Sequence, residues 1–148
     1  MPNPPVDSLI EVRASGIHGE GAFARRSLHP GQVVGTYGGR RYAEHEHGAR
    51  DWDHALTYVF ALSDGSIIDG GEGGNATRHI NHSCAPNCAA YEVDADDGEL
   101  RIVIEAKRRI AAGEELFIDY ALDVGDNDPR DYACRCGHTG CRGTMARP

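Results

Sequence analysis

Four cysteines in two distant places constrain the fold of this 148-residue chain more than any other feature. Cys134, Cys136 and Cys141 follow the spacing Cys-x-Cys-x4-Cys near the C-terminus, with glycines that let the backbone wrap a small ion. A structural zinc ion takes four ligands in a tetrahedron, so three thiolates leave one position open. A fourth ligand from the middle of the chain would tie the C-terminal tail back onto the body of the protein.

Three side chains are candidates for that fourth ligand. Cys84 and Cys88 are the other two of the five cysteines in the sequence. His138 competes with them, although its place inside the loop between Cys136 and Cys141 favours a solvent-facing side chain. The alternative interpretation is a set of ordinary thiols without a metal, which the short spacing disfavours.

The composition is that of one globular domain with a small appendage. Hydrophobic residues make up 40% and charged residues 26% of the sequence, and no apolar run approaches the roughly 20 residues of a membrane span. The N-terminus lacks the basic and apolar segments of a secretory signal. We therefore expect an intracellular protein without membrane contact, cytoplasmic by default, with a nuclear or exported location left open.

The net charge of −8 bears on the partners of the chain. An acidic protein repels the phosphate backbone of nucleic acids and attracts basic proteins. We therefore expect no direct nucleic-acid ligand. A basic, lysine-containing protein or peptide is the expected partner, and the chain itself is expected to be a monomer.

Short runs of β-branched and aromatic residues, separated by turn residues, predict a mainly β fold. The turn Ser63-Asp64-Gly65 predicts one hairpin, and the acidic turn 94–99 predicts a second. Segment 42–54 has a weak helical pattern, and the glycine-rich segment 15–22, taken in isolation, is interpreted as a plain turn. The predicted strands are 9–13, 32–37, 57–62, 66–69, 88–93, 100–105 and 115–120.

Two further features point to chemistry. Segment 73–84 is a row of hydrogen-bonding side chains with little apolar content, which is costly in a core unless partners satisfy it. This density favours a ligand site. The last predicted strand ends in the phenol of Tyr120, whose simplest interpretation is an edge aromatic. Segment 123–129 is interpreted as a linker between the body and the cysteine tail.

Together these motifs resemble those of the SET-domain protein lysine methyltransferases over about residues 9–145. The resemblance implies a mainly β SET-domain fold of short curved sheets, β-clip-like, in which the Asn-His-Ser-Cys segment and the Asp-Tyr strand cross as a pseudoknot. It divides the chain into a SET domain, 7–122, and a post-SET zinc-binding segment, 130–146. The matching motifs are Ile17-His-Gly-Glu-Gly21, Tyr58-Val-Phe60, Gly74-Asn75, Arg78-His-Ile-Asn-His-Ser-Cys84 with Pro86-Asn87-Cys88, Glu114-Glu-Leu-Phe-Ile-Asp-Tyr120, and Cys134-x-Cys136-Gly-x3-Cys141.

The resemblance also implies residue roles. S-adenosylmethionine would be the methyl donor, Tyr120 the catalytic tyrosine, and Tyr58 a second catalytic-site aromatic that lines the lysine channel and touches the cofactor. The other cofactor-binding residues would be His18, Gly19, Glu20, Gly21, Arg78, Asn81, His82 and Arg135. One structural zinc ion would be held by Cys84, Cys134, Cys136 and Cys141, which leaves Cys88 free.

The implied function is methyl transfer from S-adenosylmethionine to the ε-amine of a lysine in a histone or another basic protein. The alternative is a non-catalytic, zinc-stabilised SET-like binding module that kept the scaffold and lost turnover. The presence of Tyr120, Asn81 and His82 favours the enzyme.

Overall fold

The computed structural model describes residues 9–15, 19–43, 45, 59–95, 97–120, 139, 141, 143 and 144. Within these residues the chain forms short strands and a turn of 3₁₀ helix at Ala76–His79, which confirms the expected mainly β class. In the same residues, no helix is long and apolar enough to cross a membrane. The strands are β1 (Ile10–Ala14), β2 (Glu20–Ala24), β3 (Val33–Thr36), β4 (Arg40–Tyr42), β5 (Val59–Ala61), β6 (Ile67–Asp69), β7 (Asn81–His82), β8 (Cys88–Asp94), β9 (Leu100–Ala106) and β10 (Phe117–Ile118).

Within the described part of the chain, the strands pair into four small sheets. β1 and β2 form an antiparallel pair, β4, β6 and β5 form a second sheet in that order, and β3, β9 and β8 form a third. β7 and β10 form the fourth sheet, and their pairing is parallel. Because parallel neighbours cannot be joined by a tight turn, this last sheet joins parts of the chain that are far apart in sequence.

Both predicted hairpins are confirmed. β5 and β6 pair in antiparallel register across Ser63-Asp64-Gly65, with Ala61 opposite Ile67. β8 and β9 pair in antiparallel register from Cys88 opposite Ala106 to Asp94 opposite Leu100. The two strands of each hairpin differ in burial: β6 and much of β9 are buried, whereas Tyr91 and Val93 of β8 are exposed.

Two sequence interpretations are wrong in part. Segment 15–22 is more than a turn, because β2 begins at Glu20 and pairs with β1. The helical interpretation of 42–54 fails at its first residue, since Tyr42 ends β4 with an exposure of 4%. Burial of its ring against the sheet outweighs the weak helical pattern that follows. Most of the remainder of 42–54 lies outside the described residues, as does the predicted linker 123–129.

Among the described residues, mainly aliphatic side chains from the sheets and the connecting segments form a buried cluster. Leu28, Ile104, Ile110 and Leu116 are fully buried, and burial of each stabilises the fold by about 1.5–3 kcal/mol. Leu116 also donates a backbone hydrogen bond of 2.7 Å to Ala22 O, which joins the approach to β10 to β2. The buried cluster is Leu9, Ile10, Ala22, Ala24, Leu28, Val34, Tyr37, Leu62, Ile68, Ile80, Cys88, Ile102, Ile104, Ala106, Ile110, Leu116 and Ile118.

A single amide side chain holds the start of β10. Asn87 is 3% exposed, and its Nδ2 donates to Glu115 O at 2.8 Å while its Oδ1 accepts from Phe117 N at 2.8 Å. These two contacts reproduce the pattern of a neighbouring strand. Asn87 therefore completes backbone hydrogen bonding next to β10 that the two-residue pairing with β7 does not supply.

Part of the polar segment 73–84 serves the fold. Asn75 caps the 3₁₀ turn, because its Oδ1 accepts from Thr77 N at 3.0 Å, and its Nδ2 donates to Thr36 O at 2.9 Å. A Cβ at Gly38 would lie 2.7 Å from Asn75 Nδ2, so glycine gives the side chain room to reach β3. Asn75 thus holds this segment against β3, a few residues before Asn81 and His82 in the chain.

Candidate active site

The pairing of β7 with β10 places the polar residues of the Asn-His-Ser-Cys motif beside the strand that leads to Tyr120. Asn81 lies beside Phe117, and His82 lies beside Ile118. Asn81 is 8% exposed and His82 is 5% exposed, so their polar atoms need partners within the protein. Ser83 N donates to Ile118 O at 3.1 Å, which carries the contact one residue beyond β7.

Tyr120 is fixed at both ends by the segment that contains β7. Its hydroxyl donates to Ile80 O at 2.7 Å, and its backbone amide donates to His82 Nδ1 at 2.9 Å. The rings of Tyr120 and His82 meet edge to face, with centroids 5.3 Å apart. The simple interpretation of Tyr120 as an edge aromatic is therefore wrong: its phenol is oriented by a buried carbonyl.

The second nitrogen of His82 faces a cysteine. His82 Nε2 lies 3.5 Å from Cys84 Sγ. Because the amide of Tyr120 donates to Nδ1, the neutral ring carries its hydrogen on Nε2 and donates it to the sulfur. Asp119 Oδ1 also lies 3.6 Å from Nδ1, but an ion pair there would need a proton on the nitrogen that already accepts from the amide. The shorter amide contact fixes the tautomer.

Cys84 lies next to one of the tail cysteines. Cys84 Sγ and Cys141 Sγ are 4.0 Å apart, about twice the length of a disulfide bond. Two sulfurs bound to one tetrahedral zinc ion at about 2.3 Å each lie about 3.8 Å apart, so the pair fits two ligands of a shared metal. Gly143 N donates to Cys141 Sγ at 3.4 Å.

The other two predicted zinc ligands, Cys134 and Cys136, lie outside the described residues. Within the described part of the chain, no group of three or more His, Cys, Asp or Glu side chains is arranged to hold a metal. The geometry of Cys84 and Cys141 is thus the part of the predicted zinc site that the structure describes.

Cys88 occupies a different environment from Cys84. It is 1% exposed in the core, and burial raises the pKa of its thiol to about 12. Zinc binds the thiolate, and the burial of Cys88 disfavours that charged form. Between the two cysteines that the sequence left open, the structure favours Cys84.

Three predicted cofactor residues, Gly19, Glu20 and Gly21, lie at the start of β2, next to Asn81. Asn81 Nδ2 donates to Glu20 O at 3.0 Å and to Glu115 Oε2 at 3.2 Å. Gly19 has a φ of 47°, in the left-handed region that glycine favours, and its carbonyl accepts from Ser15 N at 2.7 Å.

A carboxylate that the sequence interpretation left without a role lies at the centre of this junction. Ser15 Oγ lies 3.0 Å from both carboxylate oxygens of Glu115. A Cβ at Gly21 would lie 2.5 Å from Glu115 Oε2, so the β2 backbone passes close to the carboxylate. In the sequence, Glu115 is recognisable only as part of the motif that ends at Tyr120. No sequence pattern predicts its contact with Ser15.

Arg78, another predicted cofactor residue, lines an open groove of about 410 Å³ between β1 and the 3₁₀ turn. Arg78 Nε donates to His79 Nε2 at 3.2 Å, and His79 Nδ1 lies 3.6 Å from Glu20 Oε2. Burial, followed by the charge of Arg78, lowers the pKa of His79, while Glu20 opposes that shift. The described lining residues of the groove are Val12, Gly73, Gly74, Asn75, Ala76, Arg78 and His79.

The structure thus brings together Gly19, Glu20, Gly21, Asn81, His82, Tyr120 and Cys84 around the junction of β2, β7 and β10. Arg78 lies one residue from His79, which reaches the same junction through Glu20. Three predicted residues, His18, Tyr58 and Arg135, lie outside the described residues, and their roles stay predictions.

Comparisons with known proteins agree on one family. A family model described as the SET domain matches residues 19–121. The chain is 36% identical over 137 residues to histone-lysine N-methyltransferase 2B of Homo sapiens, covering 90% of this chain and 5% of that protein. It is 34% identical over 141 residues to the H3 lysine-4 specific histone-lysine N-methyltransferase of Candida albicans, covering 92% and 14%. The histone-lysine N-methyltransferase set-2 of Caenorhabditis elegans is 36% identical over 142 residues, covering 93% and 9%. The chain therefore spans at most 14% of the length of these relatives.

Proposed function

The chain belongs to the SET-domain family, and on that premise we propose that it transfers a methyl group from S-adenosylmethionine to the ε-amine of a protein lysine. The observation that carries the proposal is the placement of Tyr120, whose hydroxyl donates to Ile80 O and whose amide donates to His82. The curated relatives, named as histone-lysine N-methyltransferases, support the same reaction.

The chemical difficulty is that a lysine amine is protonated at neutral pH, and only the neutral amine can accept a methyl group. The sulfonium of S-adenosylmethionine supplies an already activated methyl group, so the protein needs to present a neutral amine in line with it. A lysine with a pKa near 10.4 costs roughly 4–5 kcal/mol to deprotonate at pH 7. A water-poor channel next to a positive charge lowers that cost through desolvation and repulsion, and the released proton goes to water.

Tyr120 suits the task of orientation. Because its hydrogen is donated to Ile80 O, the phenol oxygen acts toward a substrate as an acceptor. It can accept from the amine and hold the amine lone pair toward the methyl carbon. With S-adenosylmethionine bound, the C–N bond would form as the S–C bond breaks, and the bonding electron pair would stay on sulfur. Tyr120 needs no proton transfer for this role, and Tyr58 is proposed to line the same channel.

The remaining site residues are proposed to hold the cofactor. The contact of Asn81 with Glu20 supports a shared binding surface formed by β2 and β7. We assign the cofactor to His18, Gly19, Glu20, Gly21, Tyr58, Arg78, Asn81, His82 and Arg135.

One structural zinc ion is proposed to join the post-SET segment, 130–146, to the SET domain, 7–122. The 4.0 Å separation of Cys84 Sγ and Cys141 Sγ supports it, as does the raised pKa of the competing Cys88. The proposed ligands are Cys84, Cys134, Cys136 and Cys141.

The substrate is proposed to be a basic protein, a histone or another, methylated inside the cell by a monomer of this chain. The net charge of −8 supports a basic partner. Core histones are therefore a suitable first probe.

The test uses purified chain, methyl-tritiated S-adenosylmethionine and core histones, with a whole-cell lysate as a second substrate mixture. Lys107 is the only lysine in the chain, so Lys107→Arg provides a matched variant that cannot label its own lysine side chains. We expect saturable cofactor binding by calorimetry and label on lysine of the added protein. Cofactor binding without label in either mixture would favour the non-catalytic module, and failure to bind the cofactor would overturn the proposal.

A further inference from the structure

We propose that Glu115 is a positioning residue that holds the cofactor-binding surface in its binding conformation. The inference rests on the proposed function. Glu115 is half-buried and follows Glu114 at the approach to β10. Its carboxylate contacts two side chains from different segments of the chain, Ser15 after β1 and Asn81 in β7.

The first contact fixes the orientation of Asn81. A carboxylate accepts hydrogen bonds and donates none, and the same is true of the Glu20 carbonyl. Asn81 Nδ2 lies 3.2 Å from Glu115 Oε2 and 3.0 Å from Glu20 O, so both acceptors face the amide nitrogen. A flipped amide would turn its oxygen toward two acceptors. Glu115 and Glu20 therefore point Asn81 Oδ1 away from this junction.

The second contact closes the loop between β1 and β2. Ser15 Oγ donates to Glu115, and Ser15 N donates to Gly19 O at 2.7 Å. Ser15 thus links the loop ends to each other and to the carboxylate. Gly21 lets the β2 backbone pass so close to Glu115 that a Cβ there would lie 2.5 Å from Oε2.

These contacts predict a distinct effect on binding. Without the carboxylate, the Asn81 amide loses one of the two acceptors described above, and Ser15 loses its contact with the β10 approach. Tyr120 keeps its own hydrogen bonds to Ile80 and His82. Cofactor affinity should therefore fall while the chemical step at saturating cofactor is largely preserved. A change in KM without an equal change in kcat is the signature of lost binding.

The neighbouring Glu114 is a matched control. Its Oε2 accepts from Arg108 Nη2 at 2.5 Å and from Asn87 Nδ2 at 3.2 Å, and its Oε1 accepts from Ala111 N at 3.2 Å. None of these three partners belongs to β2 or β7. Glu114→Gln should therefore lower thermal stability and leave cofactor affinity unchanged.

The experiment measures the Kd for S-adenosylmethionine by calorimetry, and the kcat and the KM for the cofactor by a methyl-transfer assay. The proteins compared are wild type, Glu115→Ala, Glu115→Gln, Ser15→Ala, the Ser15→Ala/Glu115→Gln double variant and Glu114→Gln. We expect Glu115→Ala to raise the Kd and KM about tenfold to a hundredfold, the range for loss of hydrogen bonds to a charged group. Glu115→Gln should have a smaller effect, because its amide oxygen can still accept from Asn81. The effects of Glu115→Gln and Ser15→Ala should be non-additive, as expected for residues in contact.

A folded Glu115→Ala protein with wild-type affinity would overturn the inference. So would affinity losses that merely follow the melting temperature across the Glu114 and Glu115 variants. If Glu115→Ala does not fold, Ser15→Ala and Glu115→Gln decide by the same criteria. Failure of the wild type to bind the cofactor would instead overturn the proposed function on which the inference depends.

Discussion

The backbone amide of Tyr120 donates a 2.9 Å hydrogen bond to Nδ1 of His82. The opposite nitrogen of the same ring lies 3.5 Å from Cys84 Sγ. One buried imidazole therefore lies between a predicted zinc ligand and the backbone of the predicted catalytic tyrosine. A shift of Cys84 would move His82 and, with it, the acceptor that positions Tyr120.

Tyr120→Phe keeps the ring and removes the hydroxyl that contacts Ile80 O. We expect methyl transfer to fall on the order of 100-fold, because the amine loses its orienting acceptor. Affinity for S-adenosylmethionine should stay within about twofold. The free energy of unfolding should fall by about 1 kcal/mol for the lost hydrogen bond. Radiolabel transfer, calorimetry and urea unfolding measure the three quantities, and unchanged turnover would contradict the assignment of Tyr120.

Cys84→Ser and Cys88→Ala distinguish the two cysteines that compete for the zinc site. We expect Cys84→Ser to lose zinc, because serine is a poor replacement for a thiolate ligand. Cys88→Ala should keep zinc and lose stability by about 1–3 kcal/mol, since it removes a buried core side chain. Metal content by atomic emission and unfolding in urea test both expectations. Zinc retained in the Cys84 variant and lost in the Cys88 variant would reverse the ligand assignment.

The ion pair between Arg108 and Glu114 predicts a pH-dependent contribution to stability. The hydrogen bond from Arg108 lowers the pKa of Glu114 below the ordinary value of 4.5 for a glutamate. A carboxyl whose pKa is lower in the folded state stabilises the fold above its unfolded pKa, and this stabilisation is lost as pH falls through the folded pKa. Because the pair is partly exposed, Glu114→Gln should cost up to about 1 kcal/mol at pH 7.

The measurement is urea unfolding of wild type and Glu114→Gln at pH 7 and at steps down to pH 3. The difference between the two proteins should shrink toward the acidic end. A difference that stays constant over this range would show that the ionised carboxylate is not its cause.

His79 predicts a second pH dependence, nearer neutrality. Burial, followed by the charge of Arg78, lowers the pKa of His79 below the ordinary value of 6.5 for a histidine. The unfolded chain then binds a proton more readily than the folded chain, so wild-type stability falls as pH drops from about 6.5 toward the folded pKa. His79→Gln cannot titrate and should lack this part of the decline. Melting temperatures of both proteins between pH 8 and pH 5 test it, and parallel curves would contradict the predicted shift.

The elements that the sequence predicted well are those with strong local signals. β8 and β9 are mostly apolar and flank an acidic turn, and β6 follows the turn Ser63-Asp64-Gly65. β4 and β7 were missed because they are short and rich in arginine, asparagine and histidine, which have low strand propensity. Their pairing partners, distant in sequence, determine their conformation.

The candidate site shows the same division. The sequence motifs identified four residues that lie close together in the structure: Asn81, His82, Cys84 and Tyr120. The roles of Ser15, Asn87 and Glu115 were not predictable, because each depends on contacts between segments that no local pattern relates. The Asn87 side chain forms hydrogen bonds with the backbone next to β10, as a neighbouring strand would. Secondary-structure propensities do not describe such side-chain contacts.

The parallel pairing of β7 with β10 has a consequence for synthesis on the ribosome. Asn81 and His82 are made well before Phe117 and Ile118, and contacts between distant segments form slowly because the intervening loop must first be closed. A nascent or truncated chain that lacks β10 would therefore expose β7 as an unpaired strand edge. Such an edge is open to pairing with other chains, so truncation before residue 117 should promote aggregation as well as loss of the site.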